Sequence, residues 1–368
     1  MKKLFVILVM LSAISVNAQW EPDVRLTNAT GSSFTHSNWC IAANGNVVHT
    51  VWYDERDGNW EIYYKRSTDG GINWGSDTRL TNNTAYSVNP SITVSGSLVH
   101  LVWTDGIDGN LEIYYKRSTD GGINWSSDTR LTNAAAVSEY PSIAVSGSFV
   151  HVVWLDERDG NPEIYYKHTA DEGVTWGADI RLTNNTSVSW YPSIAVSGSN
   201  VNVVWWDNRD GNFEIYYKHS TDSGINWVAD TRLTNYIANS HYSSIAVSGL
   251  VVHVVWEDWG DGNAEIYYKR STDGGINWSS DTRLTNAAAV SEYPSIAVSG
   301  SFVHVVWLDE RDGNAEIYYK RSIDAGTTWG QDIRLTSNSA YSKFPSISVS
   351  GSLVHVVWND NRDGNYEV

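Results

Sequence analysis

An all-β fold is predicted for this 368-residue chain: a ring of seven four-stranded antiparallel blades whose last blade is closed by both chain ends. Three observations predict it. The first is a period, because Trp52, Trp103, Trp154, Trp205, Trp256, Trp307 and Trp358 each close an apolar run and fall 51 residues apart. The second is a turn motif, Ser/Thr-x-Asp-x-Gly-x-x-Trp, repeated on the same period around Asp69, Asp120, Asp171, Asp222, Asp273 and Asp324. The third is the phase of the chain ends: Trp20 to Thr27 reads as a fourth strand alone, while the C-terminus supplies a first strand, a second, and the start of a third at Tyr366-Glu367-Val368. Those phases are complementary, so a β-propeller of six whole blades and one composite blade is expected. Residues 112–161 are also identical to residues 265–314, which marks a duplicated block of three repeats.

The elements follow in chain order. Residues 1–18 carry a basic start (Lys2, Lys3), an apolar stretch from Leu4 to Ile14 and the small-residue site Val16-Asn17-Ala18, the pattern of a cleaved export signal. That stretch is too short to span a bilayer. Residues 19–368 are then expected as one propeller domain of an exported protein, whether secreted, at the cell surface or periplasmic. In the third copy, Tyr140 to Val145 reads as the first strand, ended by Ser146-Gly147-Ser148. Phe149 to Leu155, rich in β-branched and aromatic residues, is the second. Asp159-Gly160-Asn161 supplies a hairpin turn, Glu163 to Lys167 the third strand, and Ile180 to Thr183 the fourth. The period also calls for a continued third strand after Glu367, so a further dozen or so residues are expected beyond Val368.

The motif Ser67-Thr68-Asp69-Gly70-Gly71-Ile72-Asn73-Trp74 resembles the Asp-box, or bacterial neuraminidase repeat, of the sialidase superfamily. Local chemistry suits a structural turn: Asp and Ser bond to nearby backbone, Gly71 allows positive φ, and Trp74 packs back onto the blade. The resemblance implies that these turns lie on the face away from the family's active site. It also implies a search for three arginines, an Asp acid, a Tyr nucleophile with its Glu, and an Arg-Ile-Pro motif. The matching stretch here is His36-Ser37-Asn38-Trp39-Cys40-Ile41, with neither arginine nor proline, and the Glu61, Tyr63 and Tyr64 positions recur in blade after blade. No catalytic residue is carried over.

Composition narrows the partners. With 25 Lys plus Arg against 42 Asp plus Glu, the net charge of −17 disfavours nucleic acid. One cysteine, Cys40, excludes an internal disulfide and a multi-cysteine metal site. His49, His100, His151, His253, His304 and His355 recur in the second strand with Asn202 in the fourth copy, but neighbouring sheets stand about 10 Å apart. Two copies therefore cannot share one ion, and packing histidines are expected, with no metal and no cofactor. The hairpin loop Asp156-Glu157-Arg158-Asp159-Gly160-Asn161 lacks the spacing of an EF-hand and reads as a turn with local Asp–Arg pairing.

What departs from the repeat points to function. Five of the 19 tryptophans, Trp39, Trp60, Trp190, Trp206 and Trp259, lie outside the repeated motifs, at connections that emerge on the face opposite the Asp-boxes. Ligand binding is expected over blades four and five, with Trp190, Trp206 and Trp259 as stacking surfaces and Asp207, Arg209 and His241 as polar neighbours. The expected function is a non-catalytic glycan-binding or adhesive module. The alternatives are a divergent exo-sialidase or other glycoside hydrolase, and a protein-binding scaffold. A carbohydrate is the expected partner.

Overall fold

The computed structural model describes residues 20–35 and 39–368, so the expected export signal at 1–18 lies outside the described residues. Blade one comprises β1 (Ser33–Phe34), β2 (Ile41–Asn44), β3 (Val47–Asp54), β4 (Glu61–Ser67) and β5 (Thr78–Arg79), with β1 and β2 both pairing β3. Blade two is β6 (Ser87–Ser95), β7 (Leu98–Asp105), β8 (Glu112–Ser118) and β9 (Thr129–Arg130). Blade three is β10 (Ser138–Ser146), β11 (Phe149–Asp156), β12 (Glu163–Thr169) and β13 (Ile180–Arg181). Blade four is β14 (Ser189–Ser197), β15 (Asn200–Asp207), β16 (Glu214–Ser220) and β17 (Thr231–Arg232). Blade five is β18 (Ser240–Ser248), β19 (Val251–Asp258), β20 (Glu265–Ser271) and β21 (Thr282–Arg283). Blade six is β22 (Ser291–Ser299), β23 (Phe302–Asp309), β24 (Glu316–Ser322) and β25 (Ile333–Arg334), and a hairpin of β26 (Ser342–Ser350) and β27 (Leu353–Asp360) follows.

The expected seven blades are therefore corrected to a six-bladed β-propeller of four-stranded antiparallel blades, because the last unit is a sheet of only two strands. Beyond β27 the chain adds one isolated bridge, Asp360 to Glu367, too little to form a third strand. The chain ends meet at this hairpin without completing a blade. Leu26 N donates to Val368 O at 2.7 Å, and Arg25 pairs with Glu367 at 2.7 Å and Asp363 at 2.8 Å. The hairpin packs between blades six and one, so that β2, β6, β10, β14, β18, β22 and β26 form a closed cycle of inner strands.

Each blade is built on one pattern. Runs such as Val150 to Leu155 favour strand because branched side chains pack on a pleated surface, and here both faces of that strand are buried between neighbouring sheets. The six tryptophans Trp52, Trp103, Trp154, Trp205, Trp256 and Trp307 are fully buried. Each stays satisfied by donating its indole N–H to the Asp two residues on, as Trp103 does to Asp105 at 2.8 Å. A buried Glu at the start of the third strand gathers the outer strand: Glu214 accepts from Arg232 at 2.7 Å, Asn212 at 3.1 Å and the Tyr236 N–H at 3.1 Å.

At the Asp-box edge, Asp69 accepts from Ser67 Oγ at 2.7 Å, Asn73 N at 2.9 Å and Asn73 Nδ2 at 2.7 Å. These bonds, the Asn73 backbone first, hold its carboxyl down at about 2. The strand histidines lie near the same edge. His49, His100, His151, His253 and His304 each join Nδ1 to a tyrosine hydroxyl at 2.7 Å, and in blade four Tyr217 donates instead to Asn202 at 2.7 Å.

Candidate functional site at the loop edge of blades four and five

At the opposite edge the inner strand of every blade from two to six, and of the hairpin, breaks register. In blade three the shift falls between Glu139 and Ser142, and in blade four between Trp190 and Ser193. One residue inside each bulge takes positive φ: Asn89, Tyr140, Tyr191, Tyr242, Tyr293 and Phe344, at 46° to 55°. A bulky residue in this region is uncommon and persists only where its surroundings hold it. Here the bulge turns five rings toward one another. Tyr140 and Tyr191 stand 4.3 Å apart, Tyr191 and Tyr242 5.5 Å, Tyr242 and Tyr293 4.8 Å, and Tyr293 and Phe344 4.8 Å. Burial, then a hydrogen bond with Tyr140, pushes the Tyr191 hydroxyl far above its ordinary value, so these phenols stay protonated.

Behind this arc the blade-four connections add a wall of rings. Trp190 pairs across the strand with Trp206, their rings stacked at 6.0 Å. Tyr191 lies nearly parallel to Trp206 at 5.6 Å, while Phe213 and His241 meet Trp206 edge-on at 4.6 Å and 4.9 Å. The structure thus brings Trp190, Trp206 and His241 together. Trp259, 40% exposed, joins them through Glu257, which accepts from its indole N–H at 3.3 Å and lies 3.7 Å from His241 Nδ1.

Asp207 and Arg209 are placed differently. Asp207 is fully buried and accepts from Ser189 Oγ at 2.9 Å and Arg209 at 2.6 Å. Arg209 also reaches Asp230 at 2.6 Å, with its guanidinium 4.3 Å over the Tyr216 ring. Both therefore brace the hairpin loop rather than face the ring cluster. Sequence reasoning did not single out Tyr140, Tyr191, Tyr242, Tyr293, Phe344 or Phe213. The recurrent Tyr-Pro-Ser was the available signal, but it reads as an ordinary strand until the bulge is seen.

Two carboxyls on this edge are unusual. Burial, then the charge of Glu157, raises Glu139 to about 7. Burial, then Glu257 and Glu310, raises Glu292 to about 7. Each adjoins a bulge tyrosine, Tyr140 and Tyr293, and the two occupy the same place in the duplicated block. Among the described residues no group of three His, Cys, Asp or Glu is arranged to hold a metal ion, and no helix is long and apolar enough to cross a membrane.

A ring of Asp-box blades with its variable residues on one edge defines the class. The model of the BNR repeat-like domain matches residues 54–305, and the chain belongs to that family. No curated protein matches the chain. Among solved structures it is similar to the polysaccharide lyase Uly1, at 9% identity and TM-score 0.61, covering 95% of this chain and 92% of that one. It is similar to the GH93 α-L-arabinofuranosidase of Fusarium graminearum, at 13% identity and TM-score 0.56, covering 79% and 97%. It is also similar to the NanB sialidase of Streptococcus pneumoniae, at 10% identity and TM-score 0.53, covering 74% of this chain and 65% of that one. At such identities the likeness is one of fold.

Proposed function

We propose that this protein is an exported, non-catalytic carbohydrate-binding module that holds a sugar chain over blades four and five. The observation that supports this reading is the contiguous cluster of Trp190, Tyr191, Trp206, His241 and Tyr242 at a loop edge. Sugar rings present apolar CH faces that stack on such surfaces and hydroxyl edges that bond to phenols and carboxylates. An arabinofuranosidase with bound arabinobiose and a polysaccharide lyase share this fold, which is consistent with a carbohydrate partner. Export rests on residues 1–18, with residues 19–368 as the mature domain, and N-terminal sequencing of the secreted protein tests it. Binding is tested on a glycan array, followed by affinity and melting temperature for Trp190→Ala and Trp259→Ala. Weakened binding at unchanged stability supports the reading. Unchanged affinity with a lowered melting temperature assigns the rings to the core.

A second reading, glycan cleavage, is favoured by Glu139 and Glu292. A carboxyl raised to about 7 retains its proton near neutral pH and can serve as a general acid. Assays on a fluorogenic sialoside, an arabinofuranoside and a uronate polymer separate the two readings. Turnover that disappears in Glu292→Gln supports cleavage; absence of turnover on all three leaves binding.

A further inference from the structure

Blade one reproduces the blade-four wall on the other side of the ring. Phe34 pairs across the strand with Tyr53 as Trp190 does with Trp206. The Phe34 and Tyr53 rings stack at 5.7 Å, and Trp60 meets Tyr53 edge-on at 5.3 Å, as Phe213 meets Trp206 at 4.6 Å. Blades two, three, five and six carry no such trio: blades three and six place Glu139 and Glu292 where Phe34 and Trp190 stand.

Beside this trio opens a pocket of about 430 Å³, lined by Trp60, Tyr86, Glu55, Asn59 and Gly31 among others, a size that suits a small ligand. Tyr86 is 60% exposed and offers a second ring face. Gly31 sits where the next repeat has Ala85, each carbonyl accepting from the corresponding turn asparagine, Asn365 at 2.5 Å and Asn59 at 2.6 Å. A Cβ at Gly31 would come within 2.7 Å of Glu55 Cγ, so glycine is what lets Glu55 enter this corner. Glu55 accepts from the Ser32 N–H at 3.1 Å through one oxygen. Arg56 also lines the pocket, but its guanidinium is held by Asp54 at 2.5 Å and Asp77 at 2.6 Å. Of the two charged groups lining the pocket, Arg56 is neutralised by its two ion pairs. Glu55 is in no ion pair among the described residues, which leaves it as the charge open to a ligand, on a chain whose net charge is −17.

We infer that blade one holds a second carbohydrate site, with Trp60 and Tyr86 as the stacking faces and Glu55 as the acceptor for sugar hydroxyls, selective for neutral over anionic saccharides. Together with the blade-four wall, on whose stacking reading the ligand class rests, it makes the loop edge bivalent. A sugar ring fits because one face stacks on an indole or phenol while its hydroxyls donate to the carboxylate. A uronate or sialate carboxylate would meet Glu55 at like charge.

The test is titration calorimetry of the full chain with xylohexaose and cellohexaose, with trigalacturonate as the anionic arm. Wild type should bind a neutral hexaose at two sites. Tyr86→Ala, a surface change, should weaken one site by about tenfold or more at unchanged melting temperature, and Trp206→Ala should weaken the other. If Trp206→Ala changes nothing while Tyr86→Ala still removes a site, the blade-four reading fails and this one stands. The blade-one site is overturned if Tyr86→Ala and Trp60→Ala both titrate as wild type. It is equally overturned if neither neutral hexaose binds, or if trigalacturonate binds in a Trp60-dependent way.

Discussion

The two edges of each blade obey different rules. At the Asp-box edge every seam between full blades is the same. A Cβ on Gly122, Gly173, Gly224, Gly275 or Gly326 would fall 1.8 to 2.0 Å from the hydroxyl of Tyr64, Tyr115, Tyr166, Tyr217 or Tyr268 in the preceding blade. At the loop edge the corresponding cross-strand pairs range from Trp190–Trp206 to His241–Glu257 and Lys343–Asn359. One edge is bound by contact between copies, so each copy must match its neighbour. At the other, the bulge rings keep contact between copies, while the cross-strand pairs beside them vary on a rigid scaffold, which is where binding residues concentrate.

The sharpest break of this comparison is a glycine exchange. Gly224→Ala puts a methyl 1.9 Å from Tyr166 Oη at a φ of +86°, and should cost several kcal/mol in chemical denaturation, about 3 or more. Gly71 has the same turn geometry, φ +91°, but faces the hairpin, where its nearest neighbour is His355 Nδ1 at 3.7 Å. Gly71→Ala should therefore lose only the conformational part, about 1–2 kcal/mol. Equal losses would show that the turn, not the seam, demands glycine.

Next in size is the loop edge. Trp206→Ala should weaken glycan binding about tenfold to a hundredfold, taking base–aromatic stacking of about 1–3 kcal/mol as the guide. Gly71→Ala should leave binding unchanged.

A pH titration then sets the two edges against each other. Burial holds His49, His100, His253 and His304 at about 4 and His151 at about 3, against 6.5 when free. Their contribution is full above pH 6.5 and is lost as pH falls toward 4, because the unfolded chain takes up protons that the folded one refuses. Glu139 and Glu292, raised from 4.5 to about 7, act in the opposite sense: their contribution is full below pH 4.5 and lost as pH rises through 7. Five groups oppose two, so the melting temperature should fall on acidification from pH 6.5 to 4. Glu139→Gln with Glu292→Gln should steepen that fall. His253→Asn should make it shallower without losing the tyrosine bond, since Asn202 already accepts from Tyr217 in blade four.

The smallest effect is expected from EDTA, which should leave the melting temperature unchanged. A drop of several degrees would reveal a bound cation.

Much of this molecule was legible before folding was considered. The 51-residue period, the order of strands and turns, and the separation of Asp-box turns from variable connections all follow from local preferences repeated in register. Trp190, Trp206 and His241 could be picked out because they break a pattern that is otherwise kept. Asp207 and Arg209 belong to the repeated hairpin loop, where a buried brace and a ligand contact use the same residue types, and only the structure shows which partners they hold.

The blade count, the bulge and the opposed walls were settled by tertiary structure. Phase complementarity at the chain ends suggested a seventh blade, yet Tyr366 to Val368 make one bridge, and a strand forms only where enough consecutive residues find partners. Positive φ at Tyr140, Tyr191, Tyr242, Tyr293 and Phe344 leaves no mark in a sequence that reads as strand throughout, because the rings of neighbouring blades hold it in place. Period and strand order are properties of residues a few places apart along the chain. Which rings face one another across the closed cycle depends on contacts between residues about fifty positions apart or more, and these exist only once the blades have packed.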